Sequence, residues 1–132
     1  MEPGPLHVLT ADEEVKLLTA CGEPLRLLAI FALDAEMRSG EMYGLTWSDV
    51  DLEAGIITVA DSEAEPGKTR QVKMTSRMIE EAQNLKARAT DAYVIPKFNF
   101  KPMWDEALKD AELPHFQFWL LRRTAQIRKQ RS

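Results

Sequence analysis

Residues 32–51 read ALDAEMRSGEMYGLTWSDVD and lie where the periodicity of the chain changes. Residues 25–33, which run into this segment, are apolar almost throughout, as expected of a central helix that is buried on nearly every side. Inside the segment we predict a short helix from about Ser39. Its inward face carries the large apolar side chains Met42, Leu45 and Trp47.

After this segment the pattern becomes that of strands. Residues 56–59, IITV, are all β-branched, and residues 70–74 alternate in polarity, so both predict strands. The polar connection between them contains Pro66-Gly67, a turn signal. Residues 93–95, YVI, predict a third short strand. We therefore expect a three-stranded antiparallel sheet built on a hairpin.

Helices are predicted on both sides of the sheet. Thr10 and Glu13 form a capping box, which predicts the start of a helix that runs to about residue 20. Further helices are expected over residues 75–89, over 101–111, and from about residue 118 to the end of the chain. The order predicts a mainly helical α+β domain, a helical bundle with a small sheet, over residues 10–132. Residues 1–9 are expected to be a flexible lead.

Composition indicates one ordinary globular domain of 132 residues. No apolar run approaches the ~20 residues of a membrane span, and residues 1–5, MEPGP, do not begin a secretory signal. The single cysteine, Cys21, excludes an internal disulfide, and we expect a cytoplasmic location and a small buried side chain. The two histidines, His7 and His115, belong to no cluster with ligand spacing, so neither a metal nor a cofactor is expected.

The net charge of −4 conceals a strong segregation. Residues 1–65 hold 14 acidic and 3 basic side chains, a net of −11, whereas residues 66–132 hold 7 acidic and 14 basic side chains, a net of +7. A basic half can form a surface that faces phosphate groups, or it can be a solvated charged face. Charge alone leaves both interpretations open.

Four segments in order resemble the catalytic domain of the tyrosine recombinase (phage integrase) family. Residues 32–51 are similar to the box around the first catalytic arginine of that family, and residues 55–72 to its hairpin. The third segment is the predicted helix that contains Trp104. The fourth is residues 116–125, FQFWLLRRTA, which are similar to the box around the second arginine. The resemblance covers about residues 9–125.

The resemblance implies roles for particular residues. Arg38 and Arg122 correspond to the two arginines that grip the scissile phosphate of double-stranded DNA, and we expect them to meet above the hairpin in one anion pocket. Glu41 would support Arg38 from the next helical turn, and Arg123 stands at a position that is often histidine. Three further cations are expected to extend the DNA-binding surface, namely Lys68, Arg70 and Lys73.

The chain departs from the family pattern at residues that carry the chemistry. Glu65 stands where the family has the hairpin lysine that protonates the leaving oxygen, and Trp119 stands where it has a histidine. A carboxylate is a poor general acid at neutral pH, and an indole has no basic nitrogen. Trp119-Leu120 is alternatively a piece of buried core. The small residues before the first arginine are replaced by Ala35-Glu36, so that an anion precedes Arg38.

The nucleophilic tyrosine of the family lies some tens of residues beyond the second arginine. Only Tyr43 and Tyr93 occur in the chain, and both are expected to be core or half-buried packing residues. We therefore expect that this chain does not cleave DNA alone.

Three functions remain open from the sequence. The chain is a degenerate recombinase domain that binds DNA without chemistry, a fragment of an active phage integrase for DNA integration and recombination, or a protein–protein interaction module that reuses the fold. An apolar face around Trp119 and Ile127 is expected to be exposed, which favours a homo-oligomer.

Overall fold

The computed structural model describes residues 8–60 and 67–131. Within them lie six α-helices: α1 (Ala11–Ala20), α2 (Leu25–Ala35), α3 (Ser39–Tyr43), α4 (Ser76–Lys86), α5 (Phe100–Asp110) and α6 (Trp119–Arg131). The strands are β1 (Val50–Asp51), β2 (Ile56–Ala60) and β3 (Thr69–Lys73), and a 3₁₀ turn spans Trp47–Asp49. The predicted mainly helical α+β class is confirmed.

Helix α2 is the centre of the molecule, as its apolar sequence predicts. All its residues from Leu25 to Leu33 except Arg26 are buried. Leu27, Ile30 and Phe31 contribute to a core cluster with the sheet and α4, whereas residues such as Leu25 contribute to a second cluster with α5 and α6. Because α2 contacts both clusters, it fixes where the N-terminal half of the chain meets α6.

The sheet is antiparallel in the order β1-β2-β3, with Ile57 opposite Val72 in the central pair. The predicted hairpin is confirmed, but the prediction of a third strand at residues 93–95 is wrong. The third strand is β1, which pairs with the start of β2. Tyr93 instead forms an isolated bridge with Thr46, beside which the Val94 amide donates to the Leu45 carbonyl at 3.0 Å.

The predicted capping box begins α1, where the Thr10 hydroxyl accepts from the Glu13 amide and the Glu13 carboxylate accepts from the Thr10 amide. Of the lead predicted for residues 1–9, residues 1–7 lie outside the described residues. Leu9, by contrast, is 2 % exposed and donates its amide to the buried Thr124 hydroxyl on α6. Leu9 is thus in contact with α6.

Three aromatic side chains lie at least partly at the surface. Tyr43 and Tyr93, which were predicted to be core or half-buried packing residues, lie outside the core at 41 % and 51 % exposure. Burial of the remaining part of the Tyr43 ring raises the pKa of its hydroxyl. In the pair Trp119-Leu120, Leu120 is in the core whereas the Trp119 side chain is 54 % exposed. Trp119 is therefore a surface residue at the start of α6.

Within residues 8–60 and 67–131, no helix combines the length and apolar character of a membrane span.

Candidate functional site

A pocket of about 290 Å³ opens where the end of α2, the start of α3, β3 and α6 come together. It is lined by seven residues, of which four are cations and two are carboxylates: Ala35, Glu36, Arg38, Glu41, Arg70, Arg122 and Lys129. Arg38 and Arg122, which the sequence predicts to meet, both line it.

Arg38 reaches the pocket because the chain turns sharply after α2. Glu36 ends that helix in the left-handed conformation, at φ 54°, and Arg38 is extended at the N-cap of α3. Met37 between them is 1 % exposed and fixes the turn in the core. Burial of Met37 thus holds Arg38, two residues from the end of α2, at the pocket wall.

Glu41 joins the two sides of the pocket. Its carboxylate accepts a hydrogen bond from the Arg38 backbone amide at 3.0 Å and binds the Arg70 guanidinium through two contacts, at 2.7 and 3.0 Å. A two-contact arginine–carboxylate pair fixes both orientation and distance. The Glu41 side chain is only 4 % exposed, and it ties β3 to the start of α3. It therefore supports Arg38 through the backbone amide and also positions Arg70.

Arg122 is held in place by α6 and by the end of α2. Leu120 and Leu121 are buried at 3 % and 0 % exposure, which fixes the rotation of α6. The Arg122 Nε–H then donates to the Glu36 carbonyl at 2.8 Å. This carbonyl is at the negative end of α2, where a cation is stabilised. The other two guanidinium nitrogens have no hydrogen-bond partner among the described residues.

Lys129 is the pocket cation that sequence reasoning did not single out. It follows Arg122 by seven residues, two helical turns, and so lies on the same face of α6. Its Nζ lies 3.8 Å from a Glu36 carboxylate oxygen. The helical spacing of seven was a signal that could have identified it.

A network of ion pairs fixes the rest of α6. Arg128 on α6 binds Glu14 on α1 and donates to the Leu9 carbonyl at 2.8 Å. Glu14 also binds Arg77 at 2.9 Å, and Arg77 in turn binds Asp34 on α2. The hydrogen bonds to Asp34 and then to Glu14 raise the pKa of the Arg77 guanidinium above its usual value despite partial burial. Helix α6 is thus tied to α1 and α2.

The segment that leads into α6 is set by Trp104. Its indole N–H donates to the Phe116 carbonyl at 3.0 Å, and its ring packs edge-on against Phe116 and Phe118. Phe116 and Phe118 immediately precede α6. These contacts therefore fix the position of the start of α6, and with it the position of Arg122.

The remaining predicted site residues lie outside the pocket. Lys73 is exposed on the opposite face of β3 from Arg70, because neighbouring strand residues alternate between faces. Lys68 is exposed just before β3. Arg123 and Trp119 lie on α6 and do not line the pocket, and Glu65 is outside the described residues.

The pocket has the chemistry of an oxyanion site. Four cations and two carboxylates give it a formal charge of +2 (4 − 2). Among the described residues that line it, none is a histidine, cysteine, serine, threonine or tyrosine. Such a lining can bind and orient an anion, and it supplies no hydroxyl, thiol or imidazole group from these residues. Within the described part of the chain, no group of His, Cys, Asp and Glu side chains is arranged to hold a metal ion.

Several solved structures are similar in fold. XerA recombinase has a TM-score of 0.80 and 21 % identity, over 98 % of this chain and 53 % of its own. The Tn1549 transposon integrase in complex with transposon right end DNA has a TM-score of 0.77 and 18 % identity, over 98 % of this chain and 55 % of its own. The catalytic domain of bacteriophage HP1 integrase has a TM-score of 0.65 and 20 % identity, over 89 % and 68 %.

The chain spans about half the length of the first two of these proteins. No curated protein matches its sequence. The model of the phage integrase family matches residues 7–128, nearly the whole chain. The protein therefore belongs to the phage integrase family.

Proposed function

We propose that the pocket binds a backbone phosphate of double-stranded DNA, as the phosphate-gripping part of a site-specific recombination domain. The observation that carries this proposal is that Arg38 and Arg122, distant in sequence, line one pocket of about 290 Å³. A pocket of this size accommodates a phosphate group with its flanking ester oxygens. The Tn1549 integrase structure, which contains DNA, supports the same function for this chain.

The chemistry of guanidinium suits this task. Its planar set of N–H donors matches the oxygens of a phosphate, and it stays charged at any physiological pH. Arg122 keeps two nitrogens without a hydrogen-bond partner among the described residues, and these are the donors assigned to the phosphate. Arg38 is assigned to the same phosphate, with Glu41 and Arg70 as the pair that supports it.

Contacts outside the pocket are assigned to the exposed cations. Lys68 and Lys73 would meet neighbouring phosphates along the duplex, and Arg123 extends the basic face of α6. Such contacts raise affinity without reading sequence. A cytoplasmic location fits this proposal, because the chain must meet DNA there.

We further propose that these 132 residues bind DNA without cutting it. By resemblance, the positions of the general acid and of the histidine are Glu65 and Trp119, neither of which can transfer a proton as lysine or histidine does. Tyr43 and Tyr93 do not line the pocket. The expected result is that no covalent protein–DNA adduct appears on a denaturing gel after incubation with a nicked duplex.

Salt dependence tests the proposed phosphate contacts. The affinity for a labelled duplex is measured from 50 to 200 mM salt for the parent and for the double variant Arg38→Ala/Arg122→Ala. Because both arginines are assigned to one phosphate, the double variant loses one phosphate contact, and the slope of log K against log salt should become shallower by about 0.9. A matched control is Arg88→Ala/Lys101→Ala, which removes two exposed cations outside the pocket. If the two double variants have equal slopes of log K against log salt, the pocket does not take part in DNA binding.

A second proposal concerns self-association. The exposed Trp119 and the half-buried Ile127 fall in one stripe of α6, at a spacing of eight residues. We propose that this stripe is the contact of a homo-oligomer. Sedimentation velocity of the parent should then show a concentration-dependent dimer that Trp119→Ser loses, and a monomer at all concentrations for both proteins contradicts it.

A further inference from the structure

Glu36 occupies a backbone position that disfavours its side chain. Its φ of 54° lies in the left-handed region, which residues with a β-carbon adopt at an energetic cost and which glycine adopts freely. Among the described residues only one other non-glycine residue has positive φ, Glu112 at 58°, in the turn after α5. A glutamate at residue 36 is therefore not explained by backbone conformation.

The two ends of Glu36 act on the pocket in opposite ways. Its carbonyl accepts from Arg122 and so orients that guanidinium, a contact that any residue can supply. Glu36 lines the pocket, and its carboxylate lies 3.8 Å from the Nζ of another lining residue, the exposed Lys129, beyond ordinary hydrogen-bond length. The carboxylate is 29 % exposed, so it is partly desolvated and only loosely paired. It is thus a negative charge beside an anion site.

The energetic effect of such a charge depends on the charge of the ligand. Coulomb repulsion is proportional to ligand charge, so a carboxylate penalises a dianion twice as strongly as a monoanion in free energy. An internal phosphodiester carries one negative charge, whereas a terminal or free phosphate carries nearly two at pH 8. A fixed carboxylate therefore separates these two kinds of phosphate.

We infer that Glu36 is a specificity-determining residue, whose carboxylate makes the pocket select monoanionic phosphodiesters over dianionic terminal or free phosphate. This inference rests on the proposed function, because it concerns which phosphate the pocket takes. If a bound phosphate lies about 6 Å from the carboxylate, Coulomb's law at the dielectric constant of water gives a lower limit of about threefold in affinity for one unit of ligand charge and about tenfold for two. The selectivity attributable to Glu36 is the ratio of these two factors, about threefold.

Two substitutions separate the charge of Glu36 from its backbone cost. Glu36→Gln removes the charge and keeps the strained side chain, whereas Glu36→Gly removes both. The same pair at Glu112, which is exposed and does not line the pocket, provides a matched control. Strain relief raises the melting temperature at either position, but only residue 36 should change anion affinity.

The test is competition with a labelled duplex at pH 8 and constant ionic strength, using inorganic phosphate as the dianion and dimethyl phosphate as the monoanion. Both Glu36→Gln and Glu36→Gly should bind inorganic phosphate about tenfold and dimethyl phosphate about threefold more tightly than the parent. Glu36→Gly and Glu112→Gly should also melt at higher temperature, and Glu112→Gln should change neither property.

Equal gains for both anions in Glu36→Gln, or no gain, overturn the inference, as does the same gain in Glu112→Gln. The parent and Arg122→Ala distinguish this failure from failure of the proposed function. If Arg122→Ala weakens both anions while Glu36→Gln changes neither, only the inference is lost. If Arg122→Ala also leaves the affinities for both anions unchanged, the proposal that the pocket binds phosphate is refuted.

Discussion

Replacing Glu41 with glutamine tests whether the pocket is held by an ion pair that crosses from α3 to β3. Glutamine keeps the shape of the side chain and one acceptor oxygen. It loses the negative charge and the second acceptor, so at most one of the two Arg70 contacts, at 2.7 and 3.0 Å, survives. The Arg38 amide already shares Oε1 with Arg70 Nη2, so a glutamine oxygen in that place keeps both of these bonds while its NH2 group faces Arg70 Nη1.

The size of the effect follows from burial. A hydrogen bond to a charged group contributes ~1.5–3 kcal/mol, and its loss costs most where the partner is desolvated. Glu41 is 4 % exposed, but Arg70 is 33 % exposed and can recover part of its hydration, which favours the lower half of that range. We expect the free energy of unfolding to fall by about 2 kcal/mol. For a chain of this length, the melting temperature should fall by about 7 °C.

Urea unfolding followed by tryptophan fluorescence measures this change, with Glu80→Gln as the control at an exposed position of α4. The control should stay within about 0.5 kcal/mol of the parent. Adding Arg70→Met completes a double-mutant cycle, which should give a coupling energy of roughly 1–2 kcal/mol. If Glu41→Gln is as stable as Glu80→Gln, or the coupling energy is zero, the pair does not hold the pocket together.

Three further predictions concern the frame around the site. Leu121→Ala should cost about 3 kcal/mol in urea unfolding, because the side chain is fully buried beside Arg122, whereas Val15→Ala, at 63 % exposure, should cost little. Thr124→Val should cost about 1–2 kcal/mol, because the buried Leu9 amide loses its acceptor; an unchanged urea midpoint would mean that water replaces the hydroxyl. Burial raises the pKa of the Cys21 thiol from 9.0 to about 12, so the unfolded chain releases this proton first as pH rises. The free energy of unfolding of the parent should therefore fall between pH 9 and 12 relative to that of Cys21→Ala, and parallel pH profiles would contradict this.

Local signals predicted most elements of the fold. The capping box at Thr10, the apolar run of α2 and the β-branched strand β2 are encoded by neighbouring residues, and each occurs where the sequence placed it. The missed strand β1 has two residues, too few to show a period of two. It exists because a tight turn to Gly55, at φ 70°, folds Val50 back onto β2. Residues 93–95 have strand-like composition, but their backbone bonds go to the loop after α3.

The site was less accessible to local reasoning. That Arg38 and Arg122 share a pocket followed from family resemblance, since no local pattern relates residues so far apart. The partner of Arg70 was not predictable either, because Glu41 lies 29 residues away and the pairing depends on how the hairpin packs against α3. Lys129 could have been found from its spacing to Arg122 on α6.

The segregation of charge along the chain has a further meaning in the folded molecule, besides a phosphate-facing surface or a solvated charged face. The acidic N-terminal and basic C-terminal halves pair with each other: Glu14 with Arg77 and Arg128, Glu23 with Arg88, Asp34 with Arg77, and Glu41 with Arg70. These pairs use cations that a count of charges would assign to a DNA-facing surface. Among the described residues, Arg122 donates only its Nε–H, and the acceptor is a neutral carbonyl. The positive charge of Arg122 therefore remains available to a ligand. Binding to DNA should therefore depend on a few cations around one pocket and on the exposed lysines, not on the +7 of the C-terminal half.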